Sequence, residues 1–404
     1  MKPTITLSPF PRDVESWWWT HAVERWPDMS EEKLLNLLRQ EIVEQSDRFN
    51  KDRSFDPSAY GARDLSILAY GNFYFSRTWM AARFALAELL TACPWTPPAK
   101  GPIRILDLGS GSGASGLACL NTMREHGIAN PLELHAFDYS SKSLAYLKDL
   151  HRSCADLWPN TRIKTERNDL RNPSAKMVSQ RYDLVLMGFS FNEIMQDLEL
   201  DEQVLALREI TNCLKRSGYF VLTEPAEAEI CRGLHQTVAR LNESEKDLYI
   251  AAPYWNGMPC PMVQENSRYF SHEVRKYPAV GTVERLNRPL RLEIREVKFG
   301  FSILGQTKNE TVAESPNFLR LISPIKKRKG TISFFGMAAN GMEQFYEFQR
   351  RNLSKETMNE LLGLQRGDLI QVEGVLTVSE DGRIRLTEAN RLLPLFAPRV
   401  GVNV

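Results

Sequence analysis

The sequence predicts an α/β fold: a doubly wound, Rossmann-like parallel sheet, preceded by a helical N-terminal region and followed by a small barrel of the OB type. Three observations predict it. The apolar run Ile103–Leu108 opens into glycines at alternate positions, Gly109, Gly111 and Gly113, and then into a helical pattern over 114–125. A strand, a glycine loop and a helix in that order form a nucleotide-type cradle, because missing Cβ atoms let the backbone approach a ligand. Strand and helix patterns then alternate from 103 to about 243, the signature of a doubly wound sheet. Beyond Lys308 the composition changes, and short strand patterns dominate.

Taken in order, residues 1–100 read as helical. Trp17, Trp18 and Trp19 read as a packing anchor. Leu34, Leu37, Leu38, Ile42 and Val43 recur at helical spacing over 30–50, with Asp28 or Ser30 as N-cap and Glu31 and Glu32 in the first turn. Residues 69–92 form a second long helix, on which Arg77 and Arg83 are expected on a solvated face rather than against RNA. Pro94-Trp95-Thr96-Pro97-Pro98 ends it. Residues 101–308 form the cradle domain, with strands at 103–108, 132–137, 161–166, 182–188 and 219–225, and 214–218 closing a helix. An irregular insertion covers 248–280, and strand patterns at 290–296 and 297–304 complete the sheet. The third unit, 309–404, has strands at 319–323, 330–337, 342–350, 368–378 and 383–389, a helix at 355–364 and a hairpin turn at Asp381-Gly382. Such a small barrel suits RNA, and Lys326, Lys327, Arg328 and Lys329 at its edge are candidate phosphate contacts.

Composition bounds the partners. Lys plus Arg is 51 against 50 for Asp plus Glu, so any nucleic-acid surface must be local. No stretch approaches the ~18 apolar residues of a membrane span, and the N-terminus lacks an apolar signal core. The six cysteines form no CxxC pair, which fits reduced thiols in an intracellular protein. No metal site and no membrane partner are expected.

Asp107 decides what the cradle holds. A pyrophosphate against the loop would be repelled by a carboxylate two residues before the first glycine. S-adenosylmethionine (SAM) has no phosphate, and its ammonium and sulfonium are cationic. The spacing Asp-x-Gly-x-Gly-x-Gly resembles motif I of class I SAM-dependent methyltransferases. Asp107, Gly109, Gly111 and Gly113 are then expected to hold the methionine end. Asp138, at the end of the second strand, is placed for ribose hydroxyls, with Tyr139 and Ser140 at the mouth. Asp169, after the third strand, is expected at adenine, as an acidic or amide side chain commonly is in methyltransferases. After the fourth strand come Ser190, Asn192 and Glu193, facing the transferable methyl, and Glu224 ends the fifth. Methyl transfer rests on positioning. Asn192 is expected to accept a hydrogen bond from an acceptor amine and Glu193 to take the proton, with a simple helix cap as the equal alternative. Cytosine C5 chemistry is disfavoured, because it needs a cysteine nucleophile and Cys213 and Cys231 fall in helical patterns.

Beyond motif I, the chain resembles the Rsm22-type methyltransferase-like proteins of the mitochondrial small ribosomal subunit and their bacterial relatives. The carrying residues are Ala69-Tyr70, the glycine loop, Ser190-Phe191-Asn192-Glu193, Ala252-Pro253 with Gly257, Pro259-Cys260-Pro261, Phe270-Ser271, Lys298-Phe299 and 326–330, spanning roughly 65–375. The resemblance implies binding to small-subunit ribosomal RNA during assembly, with SAM as cofactor, in a bacterial-type cytoplasm or a mitochondrial matrix. Similar members carry four cysteines on an iron–sulfur cluster. The pattern places these at Tyr254, Cys260, Arg268 and near Met337, so only Cys260 remains, no cluster is expected, and packing around Tyr254, Trp255 and Tyr269 replaces it. Two other functions stay open: a methyltransferase on a small molecule or protein, and a binding module with a non-functional cofactor site.

Overall fold

The computed structural model describes residues 3–48, 61–93, 95–171, 180–255, 257–263, 267–307, 317–338 and 340–401. Pro94 of the expected linker and the expected boundary at 308–309 lie outside them.

A short strand β1 (Ile5–Leu7) leads into four helices, α1 (Arg12–Arg25), α2 (Glu31–Asp47), α3 (Asp64–Phe73) and α4 (Phe75–Ala92). The single helix expected over 69–92 is two, divided at Tyr74. Ser30 is the N-cap of α2. Trp17 and Trp18 are buried, and Trp18 stacks on Tyr146 with centroids 5.8 Å apart, as an anchor should. Arg83 corrects its expected position: it is fully buried and paired with Glu125.

The central sheet follows: β2 (Ile103–Leu108), α5 (Ala114–Glu125), β3 (Leu132–Asp138), α6 (Ser141–Ser153), β4 (Thr161–Arg167), β5 (Tyr182–Gly188), α7 (Phe191–Met195), α8 (Leu200–Thr211), β6 (Leu214–Pro225), α9 (Ala228–Ser244), β7 (Tyr249–Ala252), β8 (Glu273–Lys276), α10 (Gly281–Asn287) and β9 (Glu296–Gly305). Its order is β4-β3-β2-β5-β6-β9-β7, with β8 also on β9. The first five are parallel and β9 runs antiparallel to β6. β2 pairs with β3 on one side and β5 on the other, so chain order reverses there and a crevice opens at the strands' carboxyl ends. Three expectations shift. Residues 214–218 belong to β6 rather than to a helix end, and form an irregularity where the partner register slips between Tyr182 and Leu184. Of the strand pattern at 290–296 only Glu296 is in a strand, as the first residue of β9. The insertion instead supplies two short strands, β7 and β8, too brief for period-two patterning to reveal.

The C-terminal unit contains β10 (Phe318–Leu321), β11 (Lys326–Lys327), β12 (Thr331–Ala338), β13 (Glu343–Gln349), α11 (Lys355–Leu362), β14 (Leu369–Glu373), β15 (Thr377–Val378), β16 (Ile384–Leu386), β17 (Arg391–Phe396) and β18 (Pro398–Val400). The sheet runs β15-β16-β13-β12-β10-β14-β17, with β11 on β12. In a flat sheet β16 and β17 would stand five strand spacings apart, about 24 Å. Only residues 387–390 join them, a reach of about 18 Å, so the sheet is rolled. Hydrogen bonds joining β16 to β17, as a closed OB-type barrel would need, are not found among the described strands. Strand β18 leaves the sheet to pair with β1, joining the chain's two ends.

One apolar cluster runs from Leu7 to Phe396 through all three regions. Threaded through it is a buried ion network. Arg320 of β10 donates to both oxygens of Glu88 on α4 at 2.8 and 3.0 Å and to Glu273 on β8 at 3.1 Å. The Trp255 indole donates to Glu88 at 2.7 Å. Arg275 of β8 and Arg399 of β18 pair with Asp368 before β14. Removing one member strands a buried charge, which costs about 3–5 kcal/mol. Arg320→Ala is therefore expected to lose about that much in chemical denaturation, and a loss under about 1 kcal/mol would refute the network's structural role.

Candidate functional site

A cleft of about 750 Å³ lies at the carboxyl ends of β2–β6, within the range of small-molecule sites. Gly109, Gly111, Asp138, Tyr139, Asp169, Ser190, Asn192 and Glu193 line it together. Asp107 and Gly113 lie outside its lining. Gly113 takes the left-handed conformation at the N-cap of α5, and a Cβ there would strike Leu147, so its service is to the turn.

The loop is held from three sides. Asp138 Oδ2 accepts from the Gly111 N–H at 2.8 Å, and its Oδ1 from the Ser140 N–H at 2.8 Å. Ser190 is buried and donates from Oγ to the Leu108 carbonyl at 3.0 Å. Gly109 has φ +68°, and a Cβ there would lie 2.5 Å from that of Ser190. Over Gly111 the corresponding direction is open. Asp138 and Ser190 thus shape the cradle as well as line it.

The third strand delivers two side chains. Asp169 is half-exposed and tied to its neighbour, receiving Arg171 Nε at 2.9 Å and Nη2 at 2.6 Å. That guanidinium holds its carboxyl below the usual range. Asn168, which also lines the cleft, has an amide Nδ2 without a partner among the described residues. Its free donor makes it the better-placed polar group of the pair, and the sequence singled out only its neighbour.

Beyond the loop, β5 ends in Phe189 at φ +59°, a conformation bulky residues rarely adopt and which concentrates at functional sites. It turns the chain so that Asn192 and Glu193 face the cleft. Glu224, fully buried at the end of β6, accepts from the Phe191 N–H at 2.8 Å and so fixes this segment. Burial pushes the Glu224 carboxyl far up. Asn192 Oδ1 is buried without a partner among the described residues. The opposite wall comes from outside the α/β domain: Tyr70 and Tyr74, with centroids 6.2 Å apart, and Arg77. Helix periodicity marked α3 and α4 but could not say that their ring-bearing face closes a cleft some hundred residues away in sequence.

Carboxylates outnumber cations in the cleft, whose lining also includes Arg48, Arg77, Arg171 and Lys298. Asp107 is fully buried beneath the loop, its carboxylate against Gly116, and it meets no side-chain donor and no cation among the described residues. Burial pushes its carboxyl up to about 7, with the Asp138 charge adding to the shift. Burial raises Asp138 to about 6, and burial with the Asp138 charge raises Glu193 to about 7. Such an excess suits a cationic ligand without phosphate and disfavours a pyrophosphate.

A comparison with known families matches residues 64–369 to the family described as mitochondrial small ribosomal subunit Rsm22. The chain belongs to the Rsm22 family. Comparison with curated proteins gives no match. Among solved structures the chain is similar to a ribosomal protein L11 methylase from Lactobacillus delbrueckii subsp. bulgaricus, at 13% identity over 56% of this chain and 79% of that one, TM-score 0.31. It is similar to a SAM-dependent methyltransferase from Clostridium acetobutylicum at 12% identity over 80% and 92%, TM-score 0.27. TrmN from Thermus thermophilus is similar at 15% identity over 58% and 52%, TM-score 0.31. Likeness this remote carries no argument about activity or acceptor.

The positions at which the Rsm22 resemblance places iron–sulfur ligands do come together. Tyr254, Cys260 and Met337 share a small apolar cluster with Met262 and Ile322, and Arg268 lies over Phe335, 5.1 Å from its centroid. A phenol, a thioether and a guanidinium do not replace three thiolates. These residues do not fit the cluster.

The raised carboxylates carry a stability consequence. The native protein binds more protons than the unfolded chain between about pH 4.5 and 7, so this contribution is full at the acid end and lost as pH rises through about 7. Glu193→Gln is expected to gain on the wild type, by about 2–3 kcal/mol, as the pH of denaturation experiments rises from 5 to 8. A difference independent of pH would show that Glu193 titrates normally.

Proposed function

We propose that this Rsm22-family protein binds SAM in the cleft and acts with small-subunit ribosomal RNA during ribosome assembly, methylating a nitrogen acceptor placed against Asn192 and Glu193. The observation that carries the cofactor part is the group of desolvated carboxylates, Asp107, Asp138 and Glu193, that make no ion pair among the described residues, beneath and beside a glycine cradle. Bound SAM supplies a methyl group on a cationic sulfur. Asp107 and Asp138 lie where carboxylate charge favours that cation, and Gly109 and Gly111 leave the backbone open for close approach. Asp138 retains lone pairs for ribose hydroxyls, while Asn168 and Asp169 flank the place for adenine.

On the acceptor side, Asn192 Oδ1 is positioned to accept a hydrogen bond from an amine N–H and orient its lone pair. Glu193, held near neutrality in pKa, suits receipt of the proton that leaves the nitrogen. The buried Glu224 acts through Phe191 to hold both in place. Tyr70 and Tyr74 offer flat apolar faces, a fit for a planar acceptor such as a nucleobase. Cys213 sits in the turn before β6, at the opposite end of the strands from the cleft, and Cys231 of α9, though its thiol donates to the Pro225 carbonyl at the end of β6, is fully buried and outside the cleft lining, which disfavours C5 chemistry. Family membership and the exposed run Lys326–Lys329 support the ribosomal partner.

Calorimetric titration with SAM tests the cofactor site. Asp138→Ala is expected to weaken binding by about tenfold or more, roughly 1.4 kcal/mol. Affinity should rise with pH from 5.5 to 7.5, because a cation prefers ionised carboxylates, with protons released on binding. No binding by folded wild-type protein would refute it. Co-sedimentation with small ribosomal subunits or their precursors tests the partner, and absence at every salt concentration would refute that part alone.

A further inference from the structure

The β12–β13 hairpin carries aromatic rings on both faces, and the outer face is core only along β12, where Met337 is buried against the insertion. Inward, Ile332 and Phe334 pack against Tyr346 and Phe348, all four fully buried. Outward, Phe335 and Phe345 are register partners with ring centroids 4.8 Å apart, and both are half-buried. Tyr269 adds a third ring 5.4 Å from Phe335. Phe335 touches the edge of the Tyr254–Met337 cluster on one side, but Phe345 belongs to no apolar cluster among the described residues.

Guanidiniums accompany these rings. Arg268 lies 5.1 Å from the Phe335 centroid, and Arg383 lies 5.6 Å from that of Phe345. The exposed β11 stands beside β12 with Lys326 opposite Ser333, two residues along the same face from Phe335, and the basic run continues through the turn to Lys329. Beyond β13, Arg385 stands opposite Glu347. Glu343 and Glu347 share this face, and Arg383 pairs with Asp381 at 2.9 Å and lies 3.9 Å from Glu347, so that Arg268, Arg383, Arg385 and Lys326 around the rings outnumber these carboxylates four to three. Protein interfaces are depleted in lysine. Side-by-side rings bordered by lysines and arginines match instead a polymer of flat bases on a phosphate backbone.

We propose that the outer face of β12–β13 is a stacking platform for single-stranded RNA, with bases on Phe335 and Phe345 and phosphates along Lys326–Lys329 and Arg385. This rests on the reading of the protein as a ribosomal-RNA partner, and adds which surface takes the RNA and in what form. The platform is sequence-tolerant, because every base has a flat face.

The test uses the full chain and a labelled oligouridylate of about a dozen nucleotides, in fluorescence polarisation across a salt series, beside a duplex RNA of the same length. Phe345→Leu and the double variant with Phe335→Leu are expected to weaken single-strand binding about tenfold to a hundredfold and leave the salt slope unchanged. Replacing Lys326, Lys327 and Lys329 by Gln should flatten that slope by about 0.7 for each phosphate no longer neutralised. Unchanged SAM binding and thermal melting in the variants report an intact fold, and Phe345→Leu alone serves if the double variant fails to fold. Ring variants that bind as wild type does, or duplex bound as tightly as single strand, would overturn the platform while leaving the ribosomal partner standing. Wild-type protein that binds neither oligouridylate nor the small subunit would overturn both.

Discussion

Arg320 is the charge on which the arrangement of this molecule turns. It sits on the first strand of the C-terminal sheet, almost wholly withdrawn from water, between Glu88 of the N-terminal helices and Glu273 of the insertion. A guanidinium taken out of water must be matched by carboxylates at close range and in good geometry, or its desolvation outweighs everything gained. Both carboxylates are likewise buried, and Asp368 is engaged by Arg275 and Arg399. Charges in mutual need restrict how the elements that bear them can shift. The N-terminal helices, the β8 edge of the central sheet and the rolled C-terminal sheet are thereby held as one frame.

That frame has a consequence for the cleft. Helix α4 carries Glu88 near its end, and its beginning, with α3, supplies Tyr74, Arg77 and Tyr70 to the wall opposite Asn192. Fixing one end of α4 in the ion network helps set where those rings stand. The contrast between the two sets of carboxylates is informative. Glu88 and Glu273 each meet a guanidinium, whereas Asp107, Asp138 and Glu193 meet backbone, one another or nothing; burial pushes Glu88 upward in pKa as well, but there the Arg320 charge opposes the shift. Balanced buried charge builds a frame.

The apolar cluster around Tyr254, Cys260 and Met337 lies at the same junction. Where the family resemblance places four thiolates, this chain has one, and side-chain packing between the insertion and β12 takes that place. The ion network beside it supplies the polar half of the same joint.

Much was legible in the residues alone. Alternating glycines after a buried strand, and a carboxylate at Asp107, determined the cradle and the charge beneath it, because backbone freedom and charge are local properties. Parallel strands buried on both faces wrote themselves as apolar runs, and their ends located Asp138, Asn192 and Glu193. Strands β7 and β8 were too short to show a period, and residues 214–218 carried a turn signal that the neighbouring strand overrode. Asn168 rather than Asp169 holding the free polar group depended on Arg171, which only side-chain geometry reveals. The fate of Arg83, the face that Tyr70 and Tyr74 present, and the pairing of Arg320 with two distant carboxylates were decided by tertiary structure. Each depends on what stands opposite a side chain across the fold, and no local pattern encodes that.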